Sequence, residues 1–306
     1  MEAYLDRANA MDREKLAPLR GAYWKGELSV EQFQERNRRL YEHPFGQERM
    51  ETLLLRLPSG EVQSSLDLLQ INLMIKNEQN RVEVQPAIII ASVLTLEKHQ
   101  GKGGATRLMG EVVQLQERPW SVLYSDINPE FYERFKFVKF PVSVAVGEAK
   151  LASTPPKLRA LKPAEFLDHL SRAREKSLLK CKGLAVGVQP ESGFWDWQLE
   201  RYRYFAELSK KNWELNPFWE VQDGAGLHPV AVAPDYVHDR LDGLWVCPTC
   251  EQPSEVLGHL ASQAGVSTFR FWSATAKEGK TEYPMVRAPL GGASPSAFEV
   301  QLGEWW

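Results

Sequence analysis

Apolar positions along the chain follow two different periods, and each change of period marks an element. METLLLRL (50–57) is a continuous apolar run closed by Pro58-Ser59-Gly60, and it predicts a strand ending in a turn. LDLLQINLMI (66–75) predicts at least one more strand. AIIIASVLT (87–95) is β-branched and apolar throughout, which suits a central strand covered on both faces. The period then lengthens: Ala105, Leu108, Met109, Val112 and Leu115 recur at helical spacing and form one apolar stripe. WSVLY (120–124) predicts a strand. Asn128 and Pro129 supply a cap and a first helical position for a short helix in PEFYERF, and FVKFPVSVAV (137–146) predicts a further strand. Upstream, SVEQFQERNRRLYEH (29–43) reads as a helix opened by a capping box, with Ser29 followed three residues later by Gln32. Strand, helix, strand, short helix, strand is an α/β order.

STPPK (153–157) interrupts both periods with two prolines and predicts a linker. It divides the chain into a first domain over 1–152 and a second lobe over 158–306. In the second lobe PAEFLDHLSRAREKSLLK (163–180) and FWDWQLERYRYFAELSKK (194–211) predict helices, as does PSEVLGHLASQAG (253–265), ended by Gly265. VAVA (230–233), LWVC (244–247) and TFRFW (268–272) predict strands. This lobe is again α/β, and its alternation is that of a degenerate copy of the first domain. Most of the aromatic clusters, among them FWDW, NPFW, FRFW and the terminal EWW, fall in it, and they read chiefly as core.

Composition narrows the class. The 306 residues are 43% hydrophobic, enough for one large core or two ordinary ones. The net charge of −3 lacks the basic excess of a general nucleic-acid binder and leaves a small cationic ligand open. No apolar run reaches the length of a membrane span, and MEAYLDRANAMDREK lacks the pattern of a signal peptide. Three cysteines cannot build a disulfide framework. These features predict a soluble cytoplasmic protein without a nucleic-acid or membrane partner, and they leave its oligomeric state open.

EKHQGKGGATRLM (97–109) places Gly101, Gly103 and Gly104 between the apolar run and the helical stripe. Glycine weakens helices and costs backbone entropy, so such a cluster needs a reason. The first amides of a helix have no partner within it, and the helix dipole adds positive charge there. A strand turning through glycines into a helix is therefore an anion site that a phosphate can approach closely. A tight turn alone is the other reading. The spacing fits neither a Walker loop nor Gly-x-Gly-x-x-Gly.

Gln100-Gly101-Lys102-Gly103-Gly104-Ala105 resembles the Gln/Arg-x-x-Gly-x-Gly/Ala signature of the GCN5-related N-acetyltransferases, and NPEFYERFKF (128–137) resembles their Phe-Tyr-x-x-x-Phe segment. METLLLR, IASVLTLEKHQGKGGATRLM and LYSDINPEFYERFKFVKFP together are similar to the fungal lysine N6-acetyltransferases, over about residues 20 to 146. The resemblance implies the fold of that superfamily, a mixed central sheet flanked by helices, and acetyl-coenzyme A as cosubstrate. It assigns the pyrophosphate to amides from Gln100 through Gly101, Lys102, Gly103 and Gly104 to Ala105, with Thr106 following, and charge near the phosphates to Lys102. The strand Val93-Leu94-Thr95 would pair with the pantetheine arm. Tyr132 stands where the superfamily has a general acid for the departing thiolate.

Two positions depart from the pattern: Gln100 replaces the commoner arginine, and Lys136 replaces a glycine, which predicts an altered turn after Tyr132. A free lysine amine titrates near ~10.4 and must lose a proton to attack. Glu51, Asp126 and the terminal carboxylate of Trp306 are the candidate proton acceptors. The expected activity is N-acetylation of a small cationic amine, free lysine first. Another amine (an aminoglycoside, polyamine or protein N-terminus) and a non-catalytic coenzyme A sensor or scaffold are the alternatives. Cys247-Pro-Thr-Cys250 lacks a properly spaced second pair for zinc, and no metal is expected.

Overall fold

The computed structural model describes residues 2–115, 120–125, 128–273, 281–288 and 294–299. The chain divides into two units. One comprises Met1–Asn72, Gln85–Lys139 and Met285–Ser294, the other Leu73–Val84, Phe140–Pro284 and Pro295–Trp306.

The first unit runs β1 (Tyr4–Arg7), α1 (Ala10–Trp24), α2 (Val30–Glu42), α3 (Pro44–Arg49), β2 (Met50–Arg56), β3 (Val62–Lys76, in the second unit from Leu73), β4 (Val82–Thr95, in the first unit from Gln85), α4 (Gly104–Leu115), β5 (Trp120–Ser125), α5 (Pro129–Glu133) and β6 (Val138–Lys139). Strands β1 to β5 lie side by side in chain order. The β1–β2 and β2–β3 pairs are antiparallel, with Leu5 opposite Leu55 and Leu53 opposite Leu66, whereas β4 and β5 are parallel. Capping boxes start both long helices: Asn9 with Asp12 for α1, Ser29 with Gln32 for α2. Leu54, Leu55, Leu66, Leu69, Ile89 and Val122 are at most 1% exposed. Burying each such side chain contributes about 1.5–3 kcal/mol.

Sequence periodicity understates two elements here. The β3 strand begins at Val62, ahead of the apolar run, because Gln63, Ser64 and Ser65 are buried although polar. The α1 helix carries almost no apolar stripe, since its buried face includes Arg20 and Gly21 beside Leu16 and Ala17. Arg20 is held inside by Asp67, with Nη1 donating to Oδ2 at 2.5 Å and Nη2 donating to Ser65 Oγ at 3.2 Å. The other Asp67 oxygen accepts from Thr52 at 2.5 Å and from Tyr41 at 3.0 Å. Burial and the Asp67 charge push the Tyr41 hydroxyl well above a tyrosine's usual range. The cluster ties α1 and α2 to β2 and β3.

The second unit runs β7 (Val142–Glu148), β8 (Lys157–Ala160), α6 (Pro163–Lys180), β9 (Ala185–Val188), α7 (Ser192–Leu208), β10 (Phe218–Asp223), β11 (Gly226–Asp235), β12 (Arg240–Val246), α8 (Pro253–Ala264), β13 (Thr268–Ser273), β14 (Thr281–Arg287, which enters the first unit at Met285) and β15 (Ala297–Glu299). Its strands are ordered β7-β13-β12-β11-β10-β8. The β12–β13 pair is parallel and its neighbours antiparallel. The run 137–146 forms two strands, β6 and β7, with Pro141 between them, where a residue without an amide cannot continue a ladder.

The α8 helix stops at Gly265, whose φ of 69° is the left-handed cap conformation. Leu257, Leu260, Phe269 and Phe271 join Val230 and Leu241 in one core. Phe166 stacks on Phe218 at 4.4 Å and meets Trp195 edge-on at 5.5 Å. Trp197, Tyr202 and Trp245 are fully buried, so these second-half aromatics are core. All three cysteines are free thiols. No helix among the described residues is long and apolar enough to cross a membrane.

Candidate active site

The site forms where β4 and β5 end. Their parallel pairing runs from Ala87 opposite Trp120 to Ile90 opposite Leu123 and stops there, although β4 continues to Thr95. Two residues further on stands Ser92. Its φ is +52°, a left-handed conformation costing about 1–2 kcal/mol outside glycine, within a strand that no longer pairs with β5. Val93, Leu94 and Thr95 follow it. Leu94 is buried, while Val93 and Thr95 are half-buried. The Thr95 hydroxyl meets Ser64 Oγ at 2.9 Å.

After a short 3-10 turn at Glu97–His99, the chain reaches the glycines. Each has its own reason to be glycine. Gly101 and Gly103 have φ of +74° and +76°, and a Cβ at either would meet nothing within 4 Å. Gly104 is the first residue of α4 and sits on β3, where a Cβ would lie 2.4 Å from Ser64 Oγ and 3.1 Å from Gln63 side-chain carbons. The buried polar start of β3 is thus the floor of the loop. Gln63 also accepts the Leu96 amide at 3.0 Å.

Arg107 is the first amide of α4 to bond back, donating to the Gly103 carbonyl at 2.9 Å. Among the described residues the amides of Gly101, Lys102, Gly103, Gly104, Ala105 and Thr106 meet no backbone acceptor. The loop itself is exposed, with Gly104 buried beneath it. Unpaired amides on an open loop at the positive end of a helix suit a diphosphate. Gln100 donates to Tyr23 Oη at 3.3 Å and to the Thr95 carbonyl at 3.4 Å, which joins the loop to the end of β4. Lys102 Nζ donates to the Lys98 carbonyl at 2.9 Å.

The α5 helix begins at the carboxyl end of β5, and β4 is parallel to β5, so Tyr132 is carried at the same sheet edge that leads into the loop. Asn128 caps α5 by accepting the Phe131 amide at 3.1 Å. Tyr132 is half-buried, its ring edge-on to Phe131 at 4.9 Å and to Phe137 at 6.3 Å. Lys136 takes φ +65°, the left-handed conformation that glycine favours, so the turn after Tyr132 is glycine-like despite the lysine.

Glu51 lies on β2 opposite Leu68 and pairs with Arg7 Nε at 3.2 Å. Asp126 and Trp306 lie outside the described residues. The left-handed Ser92 and the floor at Gln63 and Ser64 have no signal in the apolar periodicity. A serine gives no hint of a left-handed strand residue, and polar residues do not announce burial.

No family model matches the sequence, and no curated protein matches it. Solved structures do match. A GCN5-related N-acetyltransferase from Kribbella flavida aligns with a TM-score of 0.59 at 15% identity, over 94% of this chain and 71% of its own. A conserved protein of Enterococcus faecalis V583, described as a probable N-acyltransferase, aligns at 0.58 and 15%, over 94% and 73%. A GCN5-related N-acetyltransferase from Anabaena variabilis ATCC 29413 aligns at 0.55 and 12%, over 94% and 73%. The fold is that of the GCN5-related N-acetyltransferases.

Proposed function

We propose that the protein is an acetyl-coenzyme A-dependent N-acetyltransferase acting on a small primary amine, with free lysine at N6 as the first acceptor. The observation that carries this reading is the run of unpaired amides from Gly101 to Thr106, set directly beyond a strand that has left its neighbour. The residues fit the cofactor: the Cβ positions of Gly101 and Gly103 face open space, which leaves room for a diphosphate against the main chain. When bound, acetyl-coenzyme A supplies an acetyl thioester.

In this reading the loop amides hold the diphosphate, and Val93, Leu94 and Thr95 offer main-chain groups to the amide-bearing arm as an added strand would. One of those amides supports negative charge developing on the acetyl oxygen. Tyr132 holds the proton that the departing thiolate needs. Glu51, Asp126 and the Trp306 carboxylate are the candidates for taking the amine's proton. Lysine rests on the similarity of about residues 20 to 146 to the fungal lysine enzymes. Residues 1–152 are assigned to the cofactor and 158–306 to shaping the acceptor site.

Two measurements test the proposal. Calorimetry with coenzyme A should give saturable heat, and acetyl-coenzyme A with a panel of amines should add the mass of one acetyl group to lysine. Absence of coenzyme A binding sinks the cofactor reading. Binding without any acetylated amine leaves a sensor.

A further inference from the structure

Cys247-Pro-Thr-Cys250 fills the step from β12, which ends at Val246, to α8, which starts at Pro253. A Cys-x-x-Cys pair between a strand and a helix start is a common setting for thiol exchange. The Cys250 amide donates to the Cys247 carbonyl at 3.0 Å and closes the four residues into a turn. Such a turn holds its end Cα atoms within about 7 Å, and a disulfide spans about 4.4–6.8 Å. Both thiols are 8% exposed, but their surroundings differ. Cys250 belongs to a core with Val246, Val256 and Leu257, whereas Cys247 lines a cavity of about 510 Å3 together with Pro248, Thr249 and His228. Two buried cysteines would be ordinary core residues by themselves. Here a chain of polar groups runs from one to the other.

Asp223 anchors that chain. Its Oδ1 accepts from His228 Nε2 at 2.7 Å and from the Ala225 amide at 2.8 Å, and its Oδ2 accepts from the Glu251 amide at 2.9 Å. Burial acts to raise this carboxyl, but the Glu251 amide and His228 override it and hold it below its usual range. An ionised carboxylate only accepts, which fixes the His228 proton on Nε2 and leaves Nδ1 as an acceptor. The Thr249 hydroxyl, 3.2 Å from Nδ1, therefore donates to it, and the same oxygen lies 3.2 Å from Cys247 Sγ, where it accepts the thiol proton. At the other end, burial pushes the Cys250 thiol up to about 11; the Gln252 amide opposes this, while the charges of Asp223 and Cys247 add to it. The inner thiol stays protonated, and the outer one has a route to a base.

We propose that Cys247 and Cys250 form a dithiol–disulfide centre that exchanges with low-molecular-weight disulfides, Cys247 attacking and Cys250 resolving. The Cys247 proton passes to Thr249 as Thr249 gives its own to His228 Nδ1, and Asp223 holds the resulting imidazolium. The Cys247 sulfur attacks one sulfur of the incoming disulfide. A mixed disulfide forms, the incoming S–S bond breaks, and the departing thiolate takes the proton from His228. Cys250 then attacks Cys247 Sγ. The internal S–S bond forms, the mixed one breaks, and the second thiolate leaves with the Cys250 proton. Two electrons pass from the protein pair to the reagent, giving one internal disulfide and two free thiols. The centre lies wholly within Phe140–Pro284 and does not depend on the acetyltransferase reading.

The test uses the full chain under native conditions, with oxidised glutathione as probe. Peptide mapping should show Cys247 linked to Cys250 with the loss of two hydrogens, reversed by reduced glutathione. Cys181, a half-buried thiol outside the turn, is the internal reference. A Cys250→Ser variant should retain one glutathione on Cys247, whereas Cys247→Ser should carry none on Cys250. Thr249 is a positioning residue, so Thr249→Val should slow formation of the mixed disulfide at least about tenfold and leave the equilibrium midpoint against glutathione unchanged. No internal link in the native chain, a lasting glutathione on Cys247 of the unaltered protein, attack first at Cys250, or an undiminished rate in Thr249→Val would each overturn the proposal. The first two outcomes need no variant, so a variant that fails to fold does not protect it.

Discussion

Replacing Gly104 with alanine puts a methyl carbon 2.4 Å from Ser64 Oγ, in a place where real side chains do not approach so closely. Ser64 cannot easily swing aside, because it is fully buried and bonded to Thr95 at 2.9 Å. Overpacking of this kind costs about 1–3 kcal/mol. The gain in helix propensity returns about 0.5–1 kcal/mol, so the single variant should lose about 1–2 kcal/mol. Ser64→Ala alone forfeits one hydrogen bond, about 0.5–1.5 kcal/mol. With Oγ removed, however, the new methyl group meets only the flexible Gln63 side chain. The double variant should therefore lose less than the sum of the singles by about 1 kcal/mol, beyond the ~0.3–0.5 kcal/mol within which independent sites add. Urea denaturation followed by tryptophan fluorescence reads the stabilities, and coenzyme A calorimetry reads the loop. Affinity should fall in Gly104→Ala and recover in the double variant. Strict additivity, or a coenzyme A affinity indifferent to both changes, would refute the claim that β3 positions the loop.

Tyr132→Phe should lower turnover by about 10²–10⁴-fold with coenzyme A affinity unchanged, as steady-state kinetics beside calorimetry would read; undiminished turnover removes Tyr132 from the chemistry. Lys136→Gly relieves a left-handed residue and should raise the melting temperature by about 2 °C, whereas a fall would mean that the lysine side chain supports the turn. Burial acts to raise the Asp242 carboxyl, but Arg270 at 2.6 Å, with Arg240 and Tyr202, overrides it and holds the group below its usual range. A carboxyl lowered on folding stabilises fully above its unfolded value of ~3.9 and loses that contribution as pH falls through the folded value. Urea midpoints should accordingly drop below about pH 4, and Asp242→Asn should flatten that drop; an identical acid slope in the variant contradicts the assignment.

Local chemistry was enough to write much of this protein down from its residues. The capping box of Ser29 and Gln32, the left-handed stop at Gly265 and the apolar stripe of α4 depend on neighbours three or four residues away, so they are legible in the chain itself. So was the glycine turn after a buried strand, since two of its glycines answer to backbone dihedrals alone. The third does not. Gly104 is glycine because Ser64, forty residues earlier in sequence, lies beneath it, and only the packed sheet brings them together. The left-handed Ser92 in β4 and the internal Arg20–Asp67 pair also needed the tertiary structure. Each is a polar group whose burial or strain is set by distant contacts, and hydrophobic periodicity records only which side chains avoid water.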